Sequence, residues 1–253
     1  MKKDLTRQLL NVFGLVFALI INALATTLPL NNLTTREISD KFPVIFTPAG
    51  YVFSIWGIIY LGLIAFVVYQ ALPSQRENPR FRKVGLLFFI SSLLNAFWLI
   101  SFHYLQFGLA LVLMLGLLII LFRIYLSLGI GQEKVKPIEK WLVNLPFSIY
   151  LGWISVATIA NAAQLLYSLN WNGFGISPEV WTIIMLAAAV LISGLMSFTR
   201  KDIGHALVLI WAFIGIAVKT NIQPMVSTAG WVAVGLVGLL LLLGLLLKSQ
   251  PKV

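Results

Sequence analysis

Long apolar runs alternate with short polar clusters along the whole chain. The runs at 9–30, 49–72, 84–104, 106–128, 141–167, 180–198, 203–219 and 229–248 each approach the roughly 20 apolar residues that a helix needs to cross a membrane. Polar, turn-forming segments separate them: NNLTTREISDKFP (31–43), PSQRENPRFRK (73–83), GIGQEKVKPIEK (129–140) and NWNGFGISPE (170–179). The pattern predicts eight transmembrane helices, the seventh the shortest, in an all-α polytopic bundle. The first run follows Lys2, Lys3 and Arg7, as in a signal peptide, but it exceeds the roughly 7–15 residues of a signal's apolar core. It is read as a retained span. The last run, GLVGLLLLLGLLL (235–247), is close to low complexity and reads as an anchor.

Composition and charge agree with this reading. Hydrophobic residues make up 60% of the chain and charged ones 10%, against about 25% charged in a soluble domain. With the N-terminus inside, the inner segments hold Lys2, Lys3, Arg7, Arg76, Arg80, Arg82, Lys83, Arg123, Lys134, Lys136, Lys140, Arg200, Lys201, Lys248 and Lys252. The outer segments hold only Arg36, Lys41 and Lys219. This positive-inside asymmetry fits an even number of spans, both termini in the cytoplasm, in the cell membrane. The net charge of +10 is scattered over loops, where it fits membrane lipid as a partner and not nucleic acid. The absence of cysteine removes disulfides, thiolate metal sites and cysteine nucleophiles.

All eight carboxylates fall in loops or at span ends, which argues against a proton relay through the membrane. His103 and His205 fall at opposite ends of their spans, so they cannot share a metal, and each reads as an interfacial histidine. Asn22, Asn95, Asn161 and Gln164 are polar within spans and should face the bundle interior, joined by interhelical hydrogen bonds. Trp141, Trp181 and Trp231 lie at span ends, where aromatic belts form. Trp56 and Trp153 lie deeper, Trp98 nearer the outer end of its span, and a mid-membrane indole N–H needs an acceptor. Phe53, Trp56 and Tyr60 recur at i, i+3, i+7, as do Asn95, Trp98 and Phe102; Trp153, Ala157 and Asn161 recur at i, i+4, i+8. Each set shares one helix face. Together the three faces are read either as plain aromatic packing or as an aromatic pocket with a few fixed polar groups, suited to a flat, apolar ligand.

FTPAGYVFSIWGIIYLG (46–62) resembles the second-helix signature of the tryptophan-rich sensory protein family, also called the translocator or peripheral benzodiazepine receptor family (TspO/MBR). The matching residues are Pro48, Gly50, Phe53, Trp56, Tyr60 and Gly62. LNAFWLISF (94–102) is similar to the third-helix pattern through Asn95, Trp98 and Phe102, followed by GLAL (108–111). YLGWISVATIANA (150–162) resembles the fifth through Tyr150, Trp153, Ser155, Ala157 and Asn161. Ala49, Ile100 and Ile149 stand where proline is usual in the family, and Tyr51 where tryptophan is usual. The resemblance implies a five-helix core over 1–168 and a C-terminal extension of three transmembrane helices over 169–253. It further implies a pocket under the 31–47 loop, with Pro48, Gly50, Tyr51, Phe53, Trp56 and Tyr60 as one wall. Asn95, Trp98 and Phe102 would form a second wall, and Trp153, Ala157 and Asn161 a third. Family members bind porphyrins, sterols or synthetic benzodiazepine-type ligands, so the implied ligand is a tetrapyrrole or sterol-like planar hydrophobe. No cofactor is required, and homodimers follow by family analogy.

Three functional readings result. The first is a ligand-binding sensor or receptor of the tryptophan-rich type. The second is a carrier or exporter of a small amphipathic solute, not coupled to an intramembrane carboxylate, with the extra helices along its path. The third is an enzyme acting on a bound porphyrin or lipid, for which no nucleophile–base pair is visible.

Overall fold

The computed structural model describes residues 2–27, 30–42, 44–219 and 223–247. Lys248 and Lys252, counted above on the inner side, lie outside the described residues. Among the described residues the chain is helical and has no strand. The helices are α1 (Lys2–Thr27), α2 (Thr35–Lys41), α3 (Ile55–Ala71), α4 (Pro79–Val84), α5 (Leu87–His103), α6 (Phe107–Ser127), α7 (Pro137–Glu139), α8 (Leu145–Ser168), α9 (Pro178–Arg200), α10 (Ile203–Ala217) and α11 (Pro224–Leu246). Every predicted span is found as an apolar helix. Six are long and apolar enough to cross a membrane, so the protein is multi-pass; α5 and α10 are shorter.

The boundaries differ from the sequence expectation for local reasons. The first helix starts at Lys2 instead of 9, because its polar first turns find partners on the 70–82 segment. Gln8 Nε2 donates to Gln70 O at 2.7 Å, Arg7 to Arg76 O at 2.8 Å, and Arg82 grips Asp4 through two N–H groups. The third begins at Leu87 and not at 84, because Gly85 adopts φ +55 and separates α4 from α5. The fifth starts earlier than 141. Its first residues form α7 and then one π-helical turn, Lys140–Asn144, in which Leu145 N bonds to Lys140 O. Pro146 explains that turn: it has no N–H for the carbonyl four residues back, and widening the helix takes up the misfit. The second span opens with a 3-10 turn, Gly50–Ser54, before α3, and α11 starts at Pro224 instead of 229.

Five apolar helices form a closed ring. α1 packs on α5, α5 on α6, α6 on α8, α8 on α3, and α3 back on α1. α10 joins from outside, against α8 and the Gly50–Ser54 turn, and α9 and α11 pack on each other and on α10. Gly215 permits the close approach of α10, since a Cβ there would lie 2.2 Å from Val52 Cγ2. Two bonds follow from that contact: Ala49 N donates to Gly215 O at 3.0 Å, and Trp211 Nε1 to Val52 O at 3.1 Å.

The end of the bundle that carries the basic loops is also tied by side chains. Arg80, nearly buried, donates to Glu139, to Leu128 O at 2.7 Å and to Asn144 Oδ1 at 2.9 Å. Asn78 Nδ2 bonds the other Glu139 oxygen at 3.0 Å. One guanidinium thus joins α4, the loop after α6 and the π turn.

Candidate aromatic ligand cavity

The three aromatic faces meet inside the ring. Trp56 stacks on Tyr60 (ring centroids 5.5 Å apart) and on Trp98 (5.9 Å), and meets Tyr150 and Trp153 edge to face, both at 6.2 Å. Phe53 meets the Trp153 ring at 6.0 Å, and Trp98 meets Phe102 at 5.6 Å. Offset and edge-to-face pairs at such separations are attractive beyond their buried area. Tyr150 was not among the predicted wall residues, although it stands one turn before Trp153 on the same face.

The cluster surrounds a cavity of about 40 Å³. Of the predicted wall residues, Pro48, Phe53, Trp56, Trp98, Phe102, Trp153, Ala157 and Asn161 line it. The other four lie elsewhere. Tyr60 sits behind Trp56 and donates to Asn95 Oδ1 at 3.2 Å, so both belong to the layer below the cavity. Tyr51 is half exposed and packs on Trp211 of α10, at 5.3 Å. Gly50 faces the Arg36 guanidinium of α2, which would lie 2.7 Å from a Cβ there. The spacing argument put Phe53 on a continuous helix; the 3-10 turn shifts the register, but its ring still reaches the cavity.

Most intramembrane amides hold helices together. Asn95 Oδ1 also accepts from Asn22 Nδ2 at 3.2 Å, which joins α1, α3 and α5 at one oxygen. Trp98 Nε1 donates to Asn161 Oδ1 at 3.0 Å, and Asn161 Nδ2 to Ala157 O at 2.8 Å. Two cavity-lining donors are different: Trp153 Nε1 and Gln164 Nε2 are buried and have no acceptor. A buried N–H without a partner costs about 1–3 kcal/mol. No lining residue is charged.

The segment after α1 closes the cavity from above. Thr35 and Ser39 of α2, with Thr47 and Pro48, complete the lining, and Ile38 and Phe46 are fully buried. His103, at the end of α5, latches this lid. Its Nδ1 lies 3.3 Å from Leu30 O, and its Nε2 lies 2.9 Å from Thr35 Oγ1. A carbonyl only accepts, so Nδ1 carries the proton and Nε2 accepts from the hydroxyl. Asn31 Nδ2 donates to His103 O at 3.2 Å. Lys219, beyond α10, donates to Val44 O at 3.3 Å and Thr47 O at 3.0 Å. Neither His103 nor Lys219 announces this role in the sequence, because each contact spans at least 68 residues.

The lid helix is stabilised locally by a capping box. Thr34 Oγ1 accepts from Glu37 N at 3.2 Å, and the Glu37 carboxylate accepts from Thr34 N at 2.7 Å. The bonds that the Glu37 carboxylate accepts, from Thr34 N and from the Thr34 hydroxyl at 2.8 Å, hold its carboxyl below its ordinary value. A lowered folded value means that the contribution is fully present above the ordinary carboxylate value and is lost as pH falls through the lowered, folded one. Thr34→Ala removes the cap, and amide exchange in α2 is expected to quicken about fivefold, with the exchange of α5 unchanged. Equal protection of α2 in the variant would show that packing alone holds the lid.

Both histidines stand at helix ends, as expected, but they are fully buried within the protein. His205 lies in the first turn of α10, beside Asp202, which caps that helix and accepts from Tyr125 OH at 2.7 Å. Asp202 is at a span end, as expected, yet the neighbouring helices cover it. Among the described residues no three His, Cys, Asp or Glu side chains gather as a metal site.

No curated protein and no solved structure matches the chain. The family model described as TSPO-like protein matches residues 8–243. Since that match runs through the five-helix ring and on into the last helix, the chain as a whole belongs to the TSPO-like protein family.

Proposed function

We propose that this membrane protein is a receptor or sensor that binds a planar, largely apolar ligand of tetrapyrrole type in the aromatic cavity, and that the form described here is the closed one. The observation that carries the reading is the cavity itself: rings from three helices converge on it, and Trp153 Nε1 and Gln164 Nε2 line it without acceptors. A ligand with carbonyl, ring-nitrogen or carboxylate acceptors would satisfy them. Ligand pockets usually offer about 300–1,000 Å³, far more than the 40 Å³ found. Binding therefore requires the α2 lid to lift and the Trp56–Trp98–Trp153 cluster to part. The uncharged lining fits the flat body of a tetrapyrrole, with any carboxylates left at the lid, where Arg36 sits over Gly50.

The test is a titration of the purified protein with protoporphyrin IX, followed by tryptophan fluorescence. Saturable quenching is expected. Ala157→Phe, which fills the cavity, is expected to weaken it about tenfold. Absence of saturable quenching by the folded protein, or equal affinity in the variant, would reject the reading.

A further inference from the structure

A second concavity, of about 620 Å³, opens on the outside of the ring between α3, α8 and α10. It shares no lining residue with the central cavity. Its walls are apolar: Ile55 and Ile58 from α3, Ile149 from α8, and Leu207 and Val208 from α10. The Trp211 indole N–H, also in the lining, is occupied by Val52 O. Apart from the Ser54 hydroxyl at its edge, the groove wall offers little to a polar solute. Ile58 and Leu207 are exposed large apolar side chains, the first on α3, which is part of a segment long and apolar enough to cross a membrane, the second on the shorter apolar helix α10, so the groove opens on an apolar, lipid-compatible face.

One end of the groove is charged. Lys140 and Trp141 form its mouth at the end of the bundle that carries the basic loops, and both are exposed. The π turn sets them there. It lets Asn144 turn inward to Arg80 while Lys140 and Trp141 face out. The acids of the same loop are already engaged, Glu139 by Arg80 and Glu133 by Lys83 at 3.7 Å. Lys140 makes no ion pair among the described residues, nor do Lys134 and Lys136. An apolar channel in a lipid-facing surface, with an unpaired ammonium and an interfacial tryptophan at its mouth, has the two-part chemistry of an anionic phospholipid.

We infer that the groove between α3, α8 and α10 binds one anionic phospholipid, an acyl chain lying along Ile58 and Leu207 and the headgroup phosphate on Lys140. The bound chain fills the space between α10 and the ring, so the lipid is a structural ligand of the α10 attachment.

Native mass spectrometry of the detergent-purified protein, with phosphatidylglycerol and phosphatidylcholine of identical chains added in equal amounts, tests this. One retained lipid is expected, with phosphatidylglycerol preferred about fivefold, because its headgroup is net anionic whereas the choline ammonium of phosphatidylcholine offsets its phosphate beside the lysine. Lys140→Gln should bring the two lipids close to parity. Leu207→Trp, which fills the groove, should abolish retention of both, and Lys41→Gln, at the lid end, should change nothing. Variants are compared only as monodisperse, helical preparations. Equal retention of the two lipids by the wild type, an unchanged preference in Lys140→Gln, full retention in Leu207→Trp, or an equal loss in Lys41→Gln would each overturn the inference.

Discussion

Replacing Arg80 by Met should destabilise the protein by about 3–5 kcal/mol, the usual cost of removing one partner of a buried ion pair. The size of the effect comes from what remains. Glu139 would stay buried with only the Asn78 amide to bond it, and Leu128 O and Asn144 Oδ1 would each lose a donor. Arg80→Met combined with Glu139→Met should recover much of the loss, because the uncompensated charge is then gone as well. Unfolding in a graded denaturing detergent measures both variants. If the single variant unfolds at the same midpoint as the wild type, the Arg80 cluster is a solvated surface pair and not a structural tie.

Trp153 carries the second large effect, and two substitutions separate its roles. Trp153→Ala removes a buried indole that touches Phe53 and Trp56, and should cost about 3–5 kcal/mol. Trp153→Phe keeps most of the ring packing and discards a buried N–H that has no acceptor in this structure. Its stability should change far less, since losing an unpaired buried donor offsets part of the lost contact. If the indole N–H bonds the ligand, Trp153→Phe should still weaken protoporphyrin IX binding by about tenfold, the worth of a hydrogen bond at the upper end of the neutral range. A phenylalanine variant that is stable and binds with full affinity would make Trp153 a packing residue only.

These expectations rest on features of different legibility. The helical membrane architecture was open to direct reading, because the bilayer imposes one rule on every span: about 20 apolar residues with all backbone groups bonded internally. That rule is local, so composition along the chain is sufficient for it. The inward direction of Trp56, Trp98, Trp153 and Asn161 was also legible, since residues three and four apart share a helix face. Periodicity does not register local departures of the backbone from a plain helix. Gly85 and Pro146 moved two boundaries, and the Gly50–Ser54 turn carried Tyr51 away from the cavity and onto Trp211.

Hydrophobic periodicity and motif spacing were enough to identify an all-helical membrane protein, to give the inward faces of three of its helices, and to show their resemblance to one family. The packing of distant helices was needed to show that the cavity holds only about 40 Å³, that His103 and Lys219 bond the segment above it, that Trp153 and Gln164 are left without acceptors, and that α10 leaves a groove beside Lys140. The division has a physical cause. Periodicity records which side of a helix is buried, whereas cavity volume, unpaired donors and grooves are set by how helices distant in sequence approach one another. That approach is decided by small differences in side-chain volume and by hydrogen bonds between segments far apart in sequence.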